Sequence, residues 1–168
     1  MTQNPAHIEI EGDSDEGAAW LVAAHESYYT REWRFGDFFR DKVAADLADL
    51  RVGLPHEDCA IWFARSGGRI VGSIAIDGRH AATAGAHLRW FMAGDAARGT
   101  GVGAMLIDAA LAFCRAREFG SVYLWTFDGL DAARRMYEKR GFLVEEEIED
   151  ETWGVRVREQ KFRLVLKP

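Results

Sequence analysis

Seven consecutive residues, Arg98, Gly99, Thr100, Gly101, Val102, Gly103 and Ala104, stand between an apolar stretch and an amphipathic one. Glycines at alternate positions let a backbone turn tightly and approach an anion, and the first free N–H groups of a following helix add the positive end of its dipole. The turn therefore reads as a pyrophosphate cradle, with an ordinary strand-to-helix connection as the alternative that the turn alone leaves open. Two nucleotide patterns fail. The dinucleotide fingerprint wants its glycines at the first βα turn and an acid about 20 residues onward, whereas this turn is mid-chain and residues 120–125 hold no acid. The triphosphate loop requires Gly-Lys followed by Ser or Thr, and no lysine occurs between Val43 and Met136. His7, His25, His56, His80 and His87 show no zinc-ligand spacing, so no metal is expected, and no Gly-x-Ser-x-Gly elbow is present.

The elements that would position this turn follow from periodicity. Residues 7–11 alternate as a short strand, and Asp13, Ser14 and Asp15 offer caps for a helix through Ala18, Leu21, Val22 and Tyr28. Phe35, Phe38, Phe39, Val43, Leu47 and Leu50 recur at helical spacing, and Pro55 closes that region. Apolar residues 59–64 and 69–77 flank Ser66-Gly67-Gly68, which reads as an antiparallel hairpin. In the next strand, residues 85–93, strict alternation puts His87, Arg89, Phe91 and Ala93 on one face and Leu88, Trp90 and Met92 on the other. A helix then runs to about Glu118, residues 122–127 form a buried strand, residues 130–140 a helix ended by Gly141, and residues 142–148 open the last strand region. There Val155 and Val157 are out of phase with Phe162, Leu164 and Leu166, which predicts a bulge or short turn between Arg158 and Lys161.

This order predicts an α/β fold with a mixed sheet flanked by helices, and 168 residues fit one domain over 1–168. With 48% hydrophobic and 29% charged residues the chain can bury a core, and a net charge of −6 disfavours nucleic acid as a partner. No apolar run approaches the roughly 20 residues of a membrane span, and residues 1–16 lack the pattern of a secretory signal. A cytoplasmic protein is expected, with Cys59 and Cys114 as reduced packing residues.

The Arg-Gly-x-Gly-x-Gly turn is followed by a helix, by Leu124-Trp125-Thr126-Phe127, and by a helix carrying Ala133, Tyr137, Gly141 and Phe142. Over residues 61–142 this order resembles the GNAT superfamily of acetyl-CoA-dependent N-acetyltransferases. Leu88-Arg89, Leu124-Trp125-Thr126 and Thr152-Trp153-Gly154 are similar to a bacterial subgroup sometimes fused to winged-helix regulators, although no such regulator is encoded here. The resemblance implies a largely antiparallel central sheet with splayed central strands and acetyl-CoA as cosubstrate. It assigns the amides of Gly99, Thr100, Gly101, Val102, Gly103 and Ala104 to the CoA pyrophosphate, with charge from Arg98. It lays the pantetheine arm between the strands ending near Ala93 and Phe127, along Phe91, Met92 and Ala93, where a backbone N–H would polarise the thioester carbonyl.

By the same resemblance Tyr137 protonates or stabilises the leaving thiolate; a tyrosine packed on a core helix face is the alternative. Arg134, with Arg135 and Lys139, either reaches the nucleotide phosphates or forms a solvated basic face. Where many relatives carry an asparagine this chain has Leu130, so that hydrogen bond to pantetheine is absent or replaced. Where many carry a glutamate base it has His87, either a substitute base or a strand-end histidine without catalytic duty. Asp77, His80, Glu149 and Asp150 rank lower as bases, and in several members ordered water does this work. The acidic run 145–151 is either a solvated strand end or an attractor of cationic amines. Tyr28, Tyr29, Trp33, Phe35 and Phe39 either wall the acceptor site or serve the core, and Trp153 is either an interface residue or a lid.

The expected activity is acetyl transfer from acetyl-CoA to a primary amine of a small molecule or peptide by direct attack. A non-catalytic acyl-CoA-binding sensor or regulatory module is the alternative. Relatives often pair through sheet edges, so a homodimer stays open.

Overall fold

The computed structural model describes residues 7–97, 99–151 and 155–166; Arg98 and Trp153 lie outside them. The elements are β1 (Ile8–Glu11), α1 (Asp15–Trp33), α2 (Asp37–Val52), β2 (Cys59–Ser66), β3 (Arg69–Asp77), β4 (Ala86–Ala93), α3 (Val102–Ala116), β5 (Ser121–Phe127), α4 (Asp131–Lys139), β6 (Leu143–Asp150) and β7 (Val157–Val165). Seven strands form one sheet in the order β1-β2-β3-β4-β5-β7-β6. Every neighbouring pair is antiparallel except β4 and β5, so the mixed, largely antiparallel α/β fold read from the sequence is the observed one.

Local chemistry explains the boundaries. Ser14 caps α1, its hydroxyl accepting from Gly17 N at 2.9 Å, and Asp15 and Glu16 occupy the dipole-favoured first turn. Gly67 and Gly68 have φ of 58° and 80°, the two left-handed residues that a tight two-residue hairpin between β2 and β3 demands. The helices then cover both sheet faces. On one, α1, α2 and the connection between them bury Leu21, Phe35, Phe39, Val43 and Leu47 against Ile61, Phe63 and Ala75. On the other, α3 buries Leu106, Ile107, Ala110 and Leu111 against Ile74, Ile76, Leu88 and Val122, and Tyr137 of α4 joins that cluster. At Gly72 a Cβ would lie 2.8 Å from Leu106 Cδ1 and 2.9 Å from Val102 Cγ1, so this glycine lets the first turn of α3 settle close onto β3.

Two expectations are corrected. No bulge interrupts β7 against β5, whose register runs unbroken from Ser121↔Val165 to Phe127↔Glu159. The phase change is real because both faces are buried: Val157 packs with the α1/α2 cluster, and Phe162 and Leu164 with the α3 cluster. The irregularity lies instead in β6, between Val144 and Glu146.

The second correction concerns β4. Ser73 pairs with Met92 and Ala75 with Arg89, so β4 carries one residue more than β3 across this stretch. The bulge falls at Trp90, whose φ of 50° is left-handed and costs roughly 1–2 kcal/mol for a non-glycine residue. Ser73, fully buried, donates its hydroxyl to Trp90 O at 2.8 Å, and the Arg89 guanidinium lies 4.4 Å from the centre of the Trp90 ring. The bulge reverses the alternation. Trp90 packs toward the α1/α2 cluster and Phe91 toward the α3 cluster, so Phe91 does not share the face of His87 and Arg89 as expected.

Candidate functional site

The strands β4 and β5 are registered only at Ala86↔Val122 and His87↔Tyr123. Beyond these pairs they part, which leaves the β4 edge over residues 88–93 without a strand partner on that side. Two cavities meet in the gap. The larger, about 800 Å³, is lined by Phe91, Met92, Ala93 and Gly103 and by Leu130 and Ala133 at the start of α4. The smaller, about 400 Å³, is lined by His25, Lys42, Asp46, His87, Arg89 and Tyr137, among others. Tyr29, Phe91, Leu130 and Ala133 line both.

The glycine turn flanks the larger cavity. Gly101 caps α3 with φ of 81° and offers no side chain to the helix end. Thr100 N is engaged by Ala97 O and Met105 N by Gly101 O, whereas Gly103 N and Ala104 N have no backbone acceptor among the described residues. The Thr100 hydroxyl also donates to Ala97 O. A Cβ at Gly103 would stand 3.1 Å from Met136 Cε and 3.5 Å from Phe91 Cζ, inside the space between α3 and α4. The Val102 side chain is buried in the core, while Gly99 and Gly101 are exposed. Arg134 lines neither cavity: its Nε donates to Glu138 Oε1 at 2.8 Å and its guanidinium sits 5.5 Å from the Phe162 ring centre.

Tyr137 is the one buried residue of α4. Gly141, with φ of 94°, ends the helix, and Phe142 N returns to Tyr137 O at 3.1 Å. Arg140 ties that end to α3 through Asp108, Nε to Oδ1 2.7 Å. The Tyr137 ring is held among Phe91, Phe142 and Phe162, with centroids 5.9, 5.8 and 6.0 Å away. Among the described residues no buried side-chain polar atom lacks a partner, and the Tyr137 hydroxyl bonds to none of them, so it opens onto the cavity it lines. Burial, with a further contribution from Tyr29, raises its pKa well above that of a free phenol and keeps it protonated.

His87 stacks on Tyr123, ring centroids 4.6 Å apart at 15°. Burial first, then the charge of Arg89, lowers its pKa to about 4, so it is neutral at pH 7. His25 also titrates near 4 through burial, and its Nδ1 donates to Leu21 O at 2.7 Å, directing Nε2 away from its own helix turn. Asp46 is shared by Lys42 at 3.1 Å and Arg89 at 3.0 Å. Burial works to raise the Asp77 carboxyl, but Arg79 overrides it and holds the group at about 2.

The structure thus gathers His87 and Tyr137 at one cavity, Met92, Ala93 and Gly103 at the other, and Phe91 at their junction. It does not gather Arg134. Sequence reasoning missed His25, Lys42, Asp46 and Arg89 as cavity residues, although the i,i+4 pair Lys42 and Asp46 and the shared strand face of His87 and Arg89 were available signals. Of the acidic run, Glu145 pairs with Lys161 and Arg163 and Glu149 with Arg156 and Arg158, so those charges are largely matched; Ile148 is its cavity residue. Tyr29, Phe35, Phe39 and Phe127 form a ring cluster with centroids 4.6–5.8 Å apart, serving core and cavity together.

Residues 19–142 match the acetyltransferase (GNAT) family. The chain is similar in structure to a GNAT-family acetyltransferase from Staphylococcus aureus, with a TM-score of 0.74 and 18% identity over 96% of this chain and 100% of that one. It is also similar to a ribosomal-protein-alanine N-acetyltransferase from Brucella melitensis, with a TM-score of 0.74 and 14% identity over 94% and 99%. A structure from Salmonella typhimurium, described with its cofactor acetyl-CoA, gives 0.71 and 14% over 95% and 94%. The comparison with curated proteins finds no match.

Proposed function

Because the chain belongs to the acetyltransferase (GNAT) family, a family that uses acetyl-CoA, we infer that it transfers the acetyl group to a primary amine of a small molecule or peptide. The observation that carries this reading is the meeting of the two cavities where β4 and β5 part, with Tyr137 opening beside the junction. A two-substrate transfer needs two entrances and one shared point of contact.

The residues fit the cofactor. The left-handed glycine turn, the free Gly103 and Ala104 amides and the space a Cβ at Gly103 would fill suit a pyrophosphate approaching the end of α3. Arg98, outside the described residues, is proposed to add charge there, and the amides of Gly99, Gly101 and Val102 to donate hydrogen bonds; the Thr100 amide would join by leaving Ala97 O. The unpartnered β4 edge at Phe91, Met92 and Ala93 would receive the pantetheine amides as a strand would. Arg134 is proposed to reach the nucleotide phosphates with the guanidinium N–H groups that its Nε bond to Glu138 leaves over.

When bound, acetyl-CoA supplies a thioester whose C–S bond breaks as the amine nitrogen forms the C–N bond. A β4 backbone N–H stabilises the carbonyl oxygen. Tyr137 donates a hydrogen bond to the departing sulfur. A phenol with raised pKa holds its proton more firmly than a thiol of about 8.5, so Tyr137 acts chiefly as a hydrogen-bond donor, and the proton that ends on the thiol originates from the amine. Neutral His87 accepts a hydrogen bond from an amine that has already shed its extra proton to water; with a pKa of about 4 it is too weak to strip an alkylammonium of about 10.4.

The reading is tested by acetyl-CoA-dependent thiol release across a panel of primary amines. Turnover with at least one amine is expected. The weak basicity of His87 favours one second reading, an acyl-CoA-binding sensor. CoA binding by calorimetry, beside no thiol release across the panel, would select it.

A further inference from the structure

Four residues line both cavities, and among them Phe91, Leu130 and Ala133 bring only apolar side chains. Tyr29 brings a hydroxyl. Its ring is fixed by Phe35 at 5.6 Å, Phe39 at 4.6 Å and Phe127 at 5.8 Å, and Phe127 O accepts from Leu130 N at 3.4 Å, so Tyr29 and residue 130 close around the same phenylalanine. The Tyr29 hydroxyl bonds to no described residue, yet no buried polar side-chain atom among them is unsatisfied, so it opens onto the cavities. Two phenols therefore converge on the junction, Tyr29 from α1 and Tyr137 from α4.

We propose that the Tyr29 hydroxyl donates a hydrogen bond to the carbonyl oxygen of the acetyl thioester, making Tyr29 a second catalytic residue. The assignment rests on the acetyl-transfer reading of the site. Two thioester atoms gain negative charge as the amine attacks, the carbonyl oxygen first and the sulfur as the C–S bond breaks. Tyr137 opens only onto the smaller cavity and serves the sulfur; Tyr29 stands in the wall shared by both and serves the oxygen. Burial raises the Tyr29 phenol well above its ordinary pKa, so it keeps its proton throughout, donating a hydrogen bond without transferring the hydrogen. The C–N bond forms, the C–S bond breaks and the amine proton passes to the thiol, with Tyr29 unchanged at the end.

The test compares calorimetric affinities for acetyl-CoA and for CoA, which lacks the carbonyl, in the wild type and in Tyr29→Phe. The phenylalanine keeps the ring stack, and CoA binding reports folding in the same experiment. The expected result is acetyl-CoA binding weakened about three- to tenfold with CoA binding unchanged, and thiol release slowed more than ground-state binding, about tenfold or beyond. Equal affinities for both ligands before and after substitution would overturn the assignment, as would equal weakening of both, which marks a packing role. A wild type that binds acetyl-CoA but turns over no amine defeats the acetyl-transfer reading, while the acetyl-CoA to CoA ratio still decides on Tyr29. Should Tyr29→Phe lose CoA binding altogether, Tyr29→Trp, which keeps an aromatic ring and an N–H donor, is expected to restore a preference for acetyl-CoA; failure to do so counts against the proposal.

Discussion

The two cavities on either side of the β4/β5 gap are built from different materials. The larger one depends on backbone: a left-handed glycine cap, free helix-end amides and a strand edge without a partner. The smaller one depends on side chains drawn from α1, α2, β4, β5, α4, β6 and β7. Backbone suits a ligand that every family member shares, because amides recognise phosphate and peptide groups whatever side chains surround them. Side chains suit a ligand that varies. The difference predicts that substitutions on the two sides separate kinetically.

The largest effect is expected at Tyr137. Replacing it by phenylalanine keeps the packing against Phe91, Phe142 and Phe162 but removes the donor, and steady-state thiol release should show kcat reduced by about 10²–10³ with acetyl-CoA affinity nearly unchanged. Full activity in this variant would remove Tyr137 from the mechanism.

On the backbone side, Gly103→Val would push a branched side chain toward Met136 and Phe91. Calorimetry should register acetyl-CoA binding weakened about tenfold, while the acceptor KM holds. A change in the acceptor KM alone would mean that the cavities are not divided as described.

At His87, glutamine keeps a hydrogen-bonding group and should slow turnover only a few-fold. Because the histidine is already neutral above pH 5, the wild-type kcat/KM profile should follow ionisation of the acceptor amine and show no enzyme inflection near 6.5. An inflection there, lost in His87→Gln, would restore a base of ordinary strength.

The smallest effects concern stability. Ser73→Ala should lower unfolding free energy by about 1–2 kcal/mol in urea titration, since it frees the bulged Trp90 carbonyl. Both His25 and His87 have folded pKa values near 4 against 6.5. Their contribution is complete above pH 6.5 and is lost as pH falls toward 4, because the unfolded chain binds those protons first. His25→Asn should flatten the fall of urea midpoint across that window; an unchanged slope would place the acid sensitivity elsewhere.

The glycine turn, the cap at Ser14, the Gly67-Gly68 hairpin and the position of Tyr137 were legible in the sequence because each is local: a residue type at a fixed spacing imposes a backbone shape. The β4 bulge was not. It arises from pairing with Ser73, seventeen residues earlier, and alternation alone assigns Phe91 to the wrong face. The phase change in β7 was visible, but its cause, a sheet buried on both faces, depends on helices far from β7 and from one another along the chain. For the same reason the charged rim of the smaller cavity escaped notice: Arg89 reaches Asp46 across forty-three positions. For Arg134 the resemblance offered the nucleotide phosphates and its charge a solvated basic face; its Nε bonds Glu138, four residues on, a partner that the i,i+4 spacing made visible.

The most direct test of the divided site is a crystal structure of the chain with CoA bound. The account predicts the pyrophosphate at the Gly103 and Ala104 amides, the pantetheine along residues 91–93, and the sulfur at the junction within hydrogen-bond reach of the Tyr137 hydroxyl, leaving the His87 cavity free. A sulfur lying outside the β4/β5 gap, or a pantetheine arm filling the His87 cavity, would contradict it.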